Sequence, residues 1–298
     1  MTTSRRSLLR ALALLPLAGC ATTERPAERV TSAPPSTTRP PERDEHLLGL
    51  EQKFDARLGV YAVGAGPAIT HRADERFAFC STFKGLATAA VLSRNPMAHL
   101  DTIIKYTQAD LMKSSTITKD HVATGMTLRD LCDAAVRYSD GTAGNLLLRD
   151  VGGPAELTAY LRGLGDEVTR MDRIEPDLTS AIPGDARDTT TPRAIGAVYQ
   201  RIVLGDALPG DKRDVLRDLM ERTVTGAKRI RAGVPRGWRV ADKTGTGDYG
   251  TANDIAVVWP PNAAPLTIAI MSSRSTVDAK YDEALIAEAA AYVVRTLT

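Results

Sequence analysis

Apolar and polar positions follow two rhythms along this chain, and the changes of rhythm divide it. Over residues 45–57 the apolar positions Leu47, Leu50 and Phe54 recur at helical spacing, which predicts a helix. Residues 58–65 then alternate as a strand does, and residues 67–72 are placed as its hairpin partner. From Ser81 to about Asp218 the rhythm is helical, broken by Gly, Pro and Asp clusters. Its clearest segments are 127–138, 145–151, 155–164 and 192–204. Strand patterns return at 239–244, 252–259 and 266–272, and residues 279–297 close the chain as an amphipathic helix. Strands from both ends therefore flank a helical middle. The expected class is α/β (α+β): an antiparallel sheet built from both termini, flanked by helices, plus an all-α lobe. Residues 45–72 and 219–298 are assigned to the α/β lobe and residues 73–218 to the all-α lobe, with a cleft between them.

The first 44 residues are excluded from this fold. Arg5 and Arg6 precede an apolar run, residues 8–17, that is too short to span a bilayer. Residues 1–20 are taken as a signal peptide whose Ser-Arg-Arg-Ser-Leu-Leu start resembles a twin-arginine export signal. Leu17-Ala18-Gly19-Cys20 resembles a lipobox, in which the cysteine is lipidated; plain cleavage near Ala18 is the other reading. Residues 21–44, rich in Pro, Thr and Ser, bury too little apolar surface to order themselves and form a tether. The expected location is outside the cytoplasm, as a cell-envelope lipoprotein or a secreted or periplasmic protein. Contact with the membrane is expected through the lipid alone.

Composition narrows the functional classes. The chain is 43% hydrophobic and 25% charged, which is ordinary globular usage, and only 5% aromatic, so the core must rest on aliphatic residues. A formal charge of +2 with dispersed basic residues gives no reason to expect nucleic acid as a partner. His46, His71, His99 and His121 show no ligand spacing, so neither a metal nor a cofactor is expected.

Three motifs carry chemistry together. In Ser81-Thr82-Phe83-Lys84 the two end residues share a helix face, so the amine can reach the hydroxyl and activate it as a nucleophile. Alone this is weak, since chance supplies about one Ser-x-x-Lys in a chain this long. Ser139-Asp140-Gly141 offers a second hydroxyl able to relay a proton. Lys243-Thr244-Gly245-Thr246-Gly247 ends a predicted strand; its Lys and Thr side chains supply donors for a carboxylate, and its glycines are expected to let substrate approach the backbone.

In this order the motifs resemble those of the serine β-lactamases and penicillin-binding proteins. A fourth segment, Arg173-Ile174-Glu175-Pro176-Asp177-Leu178, resembles the start of the Ω-loop of class A β-lactamases. The likeness runs over about residues 45–298 and is strongest to the actinobacterial, mycobacterial-type enzymes. It implies hydrolysis of β-lactam antibiotics through a Ser81 acyl-enzyme, with small-molecule β-lactams as the only partners of a monomer. Lys84, or Glu175 through a water, would be the base for acylation, and Glu175 the base for deacylation. The backbone N–H groups of Ser81 and Thr246 would form the oxyanion hole. Ser139 would protonate the ring nitrogen, and Asn145 would orient Lys84 and the substrate amide. Ser139, Lys243, Thr244 and Thr246 would meet the substrate carboxylate. Asp188 would pair with Arg173 to close the loop, and the Glu175–Pro176 bond would be cis.

The chain departs from the family pattern at several positions. Ala252 stands where many members carry an arginine, and Arg229 is taken as its replacement, a planar two-donor fork for carboxylate. Gly141 replaces an Asn that contacts the substrate side chain, and Thr179 replaces an Asn that helps hold the deacylation water. Ser114 falls at a gate position that is aromatic in relatives. Cys80 and Cys132 match halves of two family disulfides whose partner positions here are Gly247 and Thr88, so both are expected as buried free thiols. Two other readings compete: a penicillin-binding DD-peptidase or β-lactam sensor domain, and an inactive binding lipoprotein on the same scaffold.

Overall fold

A computed structural model describes residues 44–298. The twin-arginine segment, Cys20 and all of the tether except Asp44 lie outside the described residues. Asp44 itself belongs to the fold: its carboxylate caps the first helix by accepting from the Leu47 N–H.

The first helix, α1, covers Glu45–Phe54. It stops short of the expected residue 57 because Asp55 turns into the left-handed region at φ 45° and Arg57 already pairs in a strand. The strands β1 (Arg57–Val63), β2 (Ile69–His71) and β3 (Phe77–Ala78) follow. Next come α2 (Phe83–Arg94), the ribbon β4 (Ile103–Ile104) with β5 (Met126–Thr127), α3 (Leu128–Arg137), α4 (Gly141–Val151) and α5 (Pro154–Gly163). Then β6 (Thr189–Thr190), α6 (Pro192–Val203), α7 (Gly210–Glu221) and the short α8 (Ile230–Gly233) lead to β7 (Arg239–Gly247), β8 (Thr251–Trp259), β9 (Leu266–Ser273) and α9 (Glu283–Leu297). The last helix begins at Glu283 rather than residue 279 because Asp282 caps it at the Ala284 N–H.

The five-stranded sheet has the order β2-β1-β9-β8-β7 and every neighbouring pair is antiparallel. Both ends of the chain thus build one sheet, as the two clusters of strand pattern predict. Alternate residues serve two cores. Leu266, Ile268 and Ile270 of β9 face a cluster with Leu47, Leu285, Ile286 and Val293 of the terminal helices. Ala269 and Met271 point the other way, into the cluster of α2 to α7. The middle of the chain is therefore packed directly on one sheet face, chiefly through α6. Two-residue ribbons, β4 with β5 and β3 with β6, interrupt its helices and are too short to leave a periodic signal.

Helix α2 is the axis of that packing. Every residue from Phe83 to Leu92 is buried, and apart from Lys84 they are apolar or small all round rather than along a stripe. A single turn of 3-10 helix, Cys80–Thr82, leads into it, and Ser81 sits in that turn rather than inside the α-helix.

Candidate active site

The turn carrying Ser81 is held from three sides. Tyr199 of α6 donates its hydroxyl to the Thr82 carbonyl at 2.6 Å. Asn253 of β8 donates to the Ala78 carbonyl at 2.8 Å. Strand β7 lies so close that a Cβ on Gly245 would stand 2.6 Å from the Phe79 carbonyl, and one on Gly247 2.5 Å from the Thr179 carbonyl and 2.7 Å from the Cys80 Sγ. Both glycines are thus required by the protein's own packing. Cys80 and Cys132 are buried free thiols.

Lys84, fully buried on the first turn of α2, places its Nζ among three acceptors. It donates to Ser81 Oγ at 2.9 Å and to the Ser139 carbonyl at 2.7 Å, and lies 2.7 Å from Glu175 Oε1. Ser81 in turn donates its hydroxyl to Glu175 Oε1 at 3.0 Å. Ser81 Oγ thus stands within hydrogen-bond distance of both groups that could take its proton, Lys84 Nζ and Glu175 Oε1.

Glu175 arrives on a loop clamped at its base. Asp188 accepts from the Asp172 and Arg173 N–H groups at 2.8 and 2.9 Å and pairs with the Arg173 guanidinium. The Glu175–Pro176 bond is cis. Burial pushes the Glu175 carboxyl up, but the charge of Lys84 and hydrogen bonds from Lys84, Ser81 and Ser114 outweigh it, and the net shift is downward. Asn145 of α4, which the family resemblance implied would orient Lys84, makes no hydrogen bond to it. It pins the Glu175 backbone instead, donating to its carbonyl at 2.9 Å and accepting from its N–H at 3.0 Å. The Thr179 hydroxyl, at the position where relatives carry an Asn, donates to the Pro176 carbonyl at 2.7 Å and closes the local turn.

On the opposite wall Lys243 donates to Ser139 Oγ at 3.0 Å. Ser139 holds the left-handed conformation, φ 58°, that turns its carbonyl toward Lys84. Lys243 and Thr244 are both buried, the latter sharing a hydrogen bond with Thr225 at 2.7 Å, while Ser81, Ser139 and Thr246 are half-exposed. An incoming carboxylate therefore meets a row of hydroxyls with an ammonium behind it, an order the motif alone did not reveal. Arg229 is likewise buried beneath the row. It donates to the Gly245 and Asn253 carbonyls, to Thr246 Oγ1 at 2.8 Å and to Glu283. Its register fits the replacement idea, since Thr246 pairs with the uncharged Ala252. Its fork, however, is spent on protein groups and aims Thr246.

Burial lowers the Lys243 amine to about 7, helped by the charge of Lys84 and opposed by Asp242, Asp254 and Glu175. The ammonium is lost as pH rises through that value, so the Michaelis constant for carboxylate-bearing substrates should climb severalfold between pH 6 and 8.5. A pH series of initial rates checks this; a flat Michaelis constant counts against Lys243 as the carboxylate's charge partner.

Several supports went unnoticed in the sequence. Asp140, read there only as part of a turn, is fully buried and accepts from the Ile117, Thr118 and Ala143 N–H groups. Its position before a helical segment was the available signal, that of an N-cap. Asn253 carried none that distinguishes it from an ordinary polar residue, and Ser114 was noticed only for the aromatic ring it lacks.

The chain matches the model of the beta-lactamase enzyme family over residues 43–297. It is 56% identical over 304 residues to a β-lactamase of Mycobacterium tuberculosis, covering 98% of this chain and 97% of that protein. Among solved structures, a halotolerant bacterial β-lactamase superposes with a TM-score of 0.84 at 50% identity, covering 85% of this chain and 99% of that one. The class A β-lactamase from Clostridium kluyveri gives 0.83 at 46% identity, covering 84% and 97%.

Proposed function

Since this chain belongs to the class A β-lactamases, we propose that it hydrolyses β-lactams by a Ser81 acyl-enzyme, with the residues just described in the following roles. Ser81 Oγ attacks the lactam carbonyl carbon as its proton passes to Glu175 Oε1. The backbone N–H groups of Ser81 and Thr246 hold the resulting oxyanion. The C–N bond breaks and the ring nitrogen takes the Ser139 hydroxyl proton, and the proton held on Glu175 is returned to Ser139 through the Lys84 and Lys243 amines that border the two residues, so that Glu175 is again a carboxylate. A water then attacks the ester, Glu175 takes its proton, and that proton passes to Ser81 Oγ as the acyl C–O bond breaks and the enzyme is freed. Lys84 keeps the Ser81 oxygen and the Glu175 carboxylate in one cluster. Ser139 and Thr246, backed by Lys243 and Arg229, take the substrate carboxylate, and Thr244 orders the row from behind. Gly141 stands beside Ser114 and Glu175 at the edge of the cleft.

The observation that carries this reading is the bond from Ser81 to Glu175. A carboxylate buried beside the nucleophile and ionised at neutral pH is what a hydrolytic second step requires. A DD-peptidase or sensor domain has no need to hydrolyse its β-lactam adduct, so a carboxylate placed for that step is not expected in one. Nitrocefin and benzylpenicillin separate the two: sustained turnover is expected, and a single stoichiometric burst without further hydrolysis would overturn the proposal. Export belongs to the same proposal and rests on residues 4–20, with lipid attachment at Cys20 as its finer form. Among the described residues no helix is long and apolar enough to cross a membrane.

A further inference from the structure

The base of this reaction is held from a direction that its backbone clamp does not supply. Glu175 Oε1 faces Ser81 and Lys84, and its other oxygen, Oε2, accepts the Ser114 hydroxyl at 3.2 Å. Ser114 lies on an exposed stretch, yet the stretch is anchored. Its carbonyl accepts from the Gly141 N–H at 3.3 Å and the Thr116 N–H at 2.9 Å. Next to it, the Met112 N–H donates to Thr142 Oγ1, Ser115 and Thr142 share a hydrogen bond at 2.7 Å, and Asp140 takes the Ile117 and Thr118 N–H groups. Nearly all of these anchors sit at the start of α4, the helix that also presents Asn145 to the Glu175 backbone.

Gly141 stands at the centre of this junction. A Cβ there would lie 2.2 Å from Ser114 Oγ and 2.4 Å from Glu175 Oε2, so no side chain fits while the two are bonded. We propose that Ser114 is a positioning residue for the deacylation base, fixing the Glu175 carboxylate by its Oε2, and that Gly141 is bare because this contact occupies the space its side chain would take. The two positions then form one unit. Ser114 selects the rotation of the carboxylate that turns Oε1 to the nucleophile, and Gly141 permits it. This rests on the acyl-enzyme reading above.

The contact also leaves a mark on titration. The charged and titratable groups facing Glu175 are Lys84 on α2, Lys243 on β7 and the Cys80 thiol, with the Ser81 and Ser114 hydroxyls as donors. Removing Ser114 leaves the others in place and takes away one influence that favours the ionised form. The base is active above its own titration point, so that point moves up and the acid limb of turnover moves with it.

The experiment is steady-state and pre-steady-state hydrolysis of nitrocefin from pH 4.5 to 8 by the wild-type chain, Ser114→Ala, Ser114→Thr, Gly141→Ala and the Ser114→Ala/Gly141→Ala double variant. Ser114→Ala should lower kcat about 3- to 10-fold, the range expected for loosening rather than deleting a general base, with its acid limb shifted to higher pH and its melting temperature unchanged. Ser114→Thr, which keeps the hydroxyl on an exposed site, should restore both. Gly141→Ala should lose at least as much kcat, since a Cβ there meets Glu175 Oε2 as well as Ser114 Oγ, and the double variant should be little worse than Gly141→Ala alone, because that change already breaks the Ser114 contact. An unshifted acid limb in Ser114→Ala, or losses that multiply in the double variant, would overturn the inference. Failure of the wild-type chain itself to turn over nitrocefin would instead overturn the reading it rests on.

Discussion

A Ser81→Ala enzyme should hydrolyse nitrocefin about a million times more slowly than the wild type and form no covalent adduct. The size follows from what a serine nucleophile does. In a serine hydrolase the nucleophile and its partners act as a unit, and removing the nucleophile alone costs about as much as removing the whole set. Here the unit is visible as a closed ring: Lys84 donates to Ser81, Ser81 to Glu175, and Lys84 also touches Glu175. The change deletes one oxygen at a half-exposed position, so folding should survive it. Intact-protein mass spectrometry after mixing with benzylpenicillin gives the check. An adduct of substrate mass on the Ser81→Ala variant would move the nucleophile elsewhere.

A Glu175→Ala enzyme should fail differently. It retains the nucleophile, so it should still acylate, and it lacks the base that activates the hydrolytic water. General-base removal costs about 10²- to 10⁴-fold, and here the loss should fall chiefly on release of the enzyme. The expected result is a persistent adduct of substrate mass with steady-state turnover down by that factor. Because Ser81 donates directly to Glu175, the burst should slow as well, which distinguishes this geometry from one in which Lys84 alone takes the proton. Normal steady-state turnover in this variant would remove Glu175 from deacylation.

The sequence was informative where chemistry forces a local spacing. Ser81 and Lys84 are three apart because one helix turn must bring them together, and Arg173 and Glu175 stand in a segment distinctive enough to suggest its loop. The sheet was equally visible, since β1, β8 and β9 are short runs of apolar residues bounded by turn residues. What stayed hidden were contacts whose partners lie far away in the chain. Asn145 carries no local sign that its amide pairs with the Glu175 backbone 30 residues on. Nothing near Arg229 shows that its fork is taken up by Thr246, Gly245 and Asn253. Gly245 and Gly247 were assigned to substrate approach because a glycine's sequence says only that something comes close. Ser114 was seen as a missing aromatic, and its hydroxyl as a donor emerged only once Gly141 and Glu175 were placed beside it. The element ends moved by a few residues for a similar reason, since caps such as Asp44 and Asp282 act through single side chains that periodicity does not register.

The sheet assembled from both ends of the chain has a consequence in time. The carbonyl of Ala78, just before the nucleophile, is held by Asn253, 175 residues later. Strand β1 completes its pairing only with β9, which is synthesised much later still. Contacts so distant require large loops to close before they stabilise anything, which places such a topology among slower folders. Until β7 to β9 arrive, a growing chain can build helices around Phe83 to Leu92 yet has no wall against the turn that carries Ser81. Catalytic competence in this molecule is therefore acquired late, and a truncation that removes these strands removes it entirely.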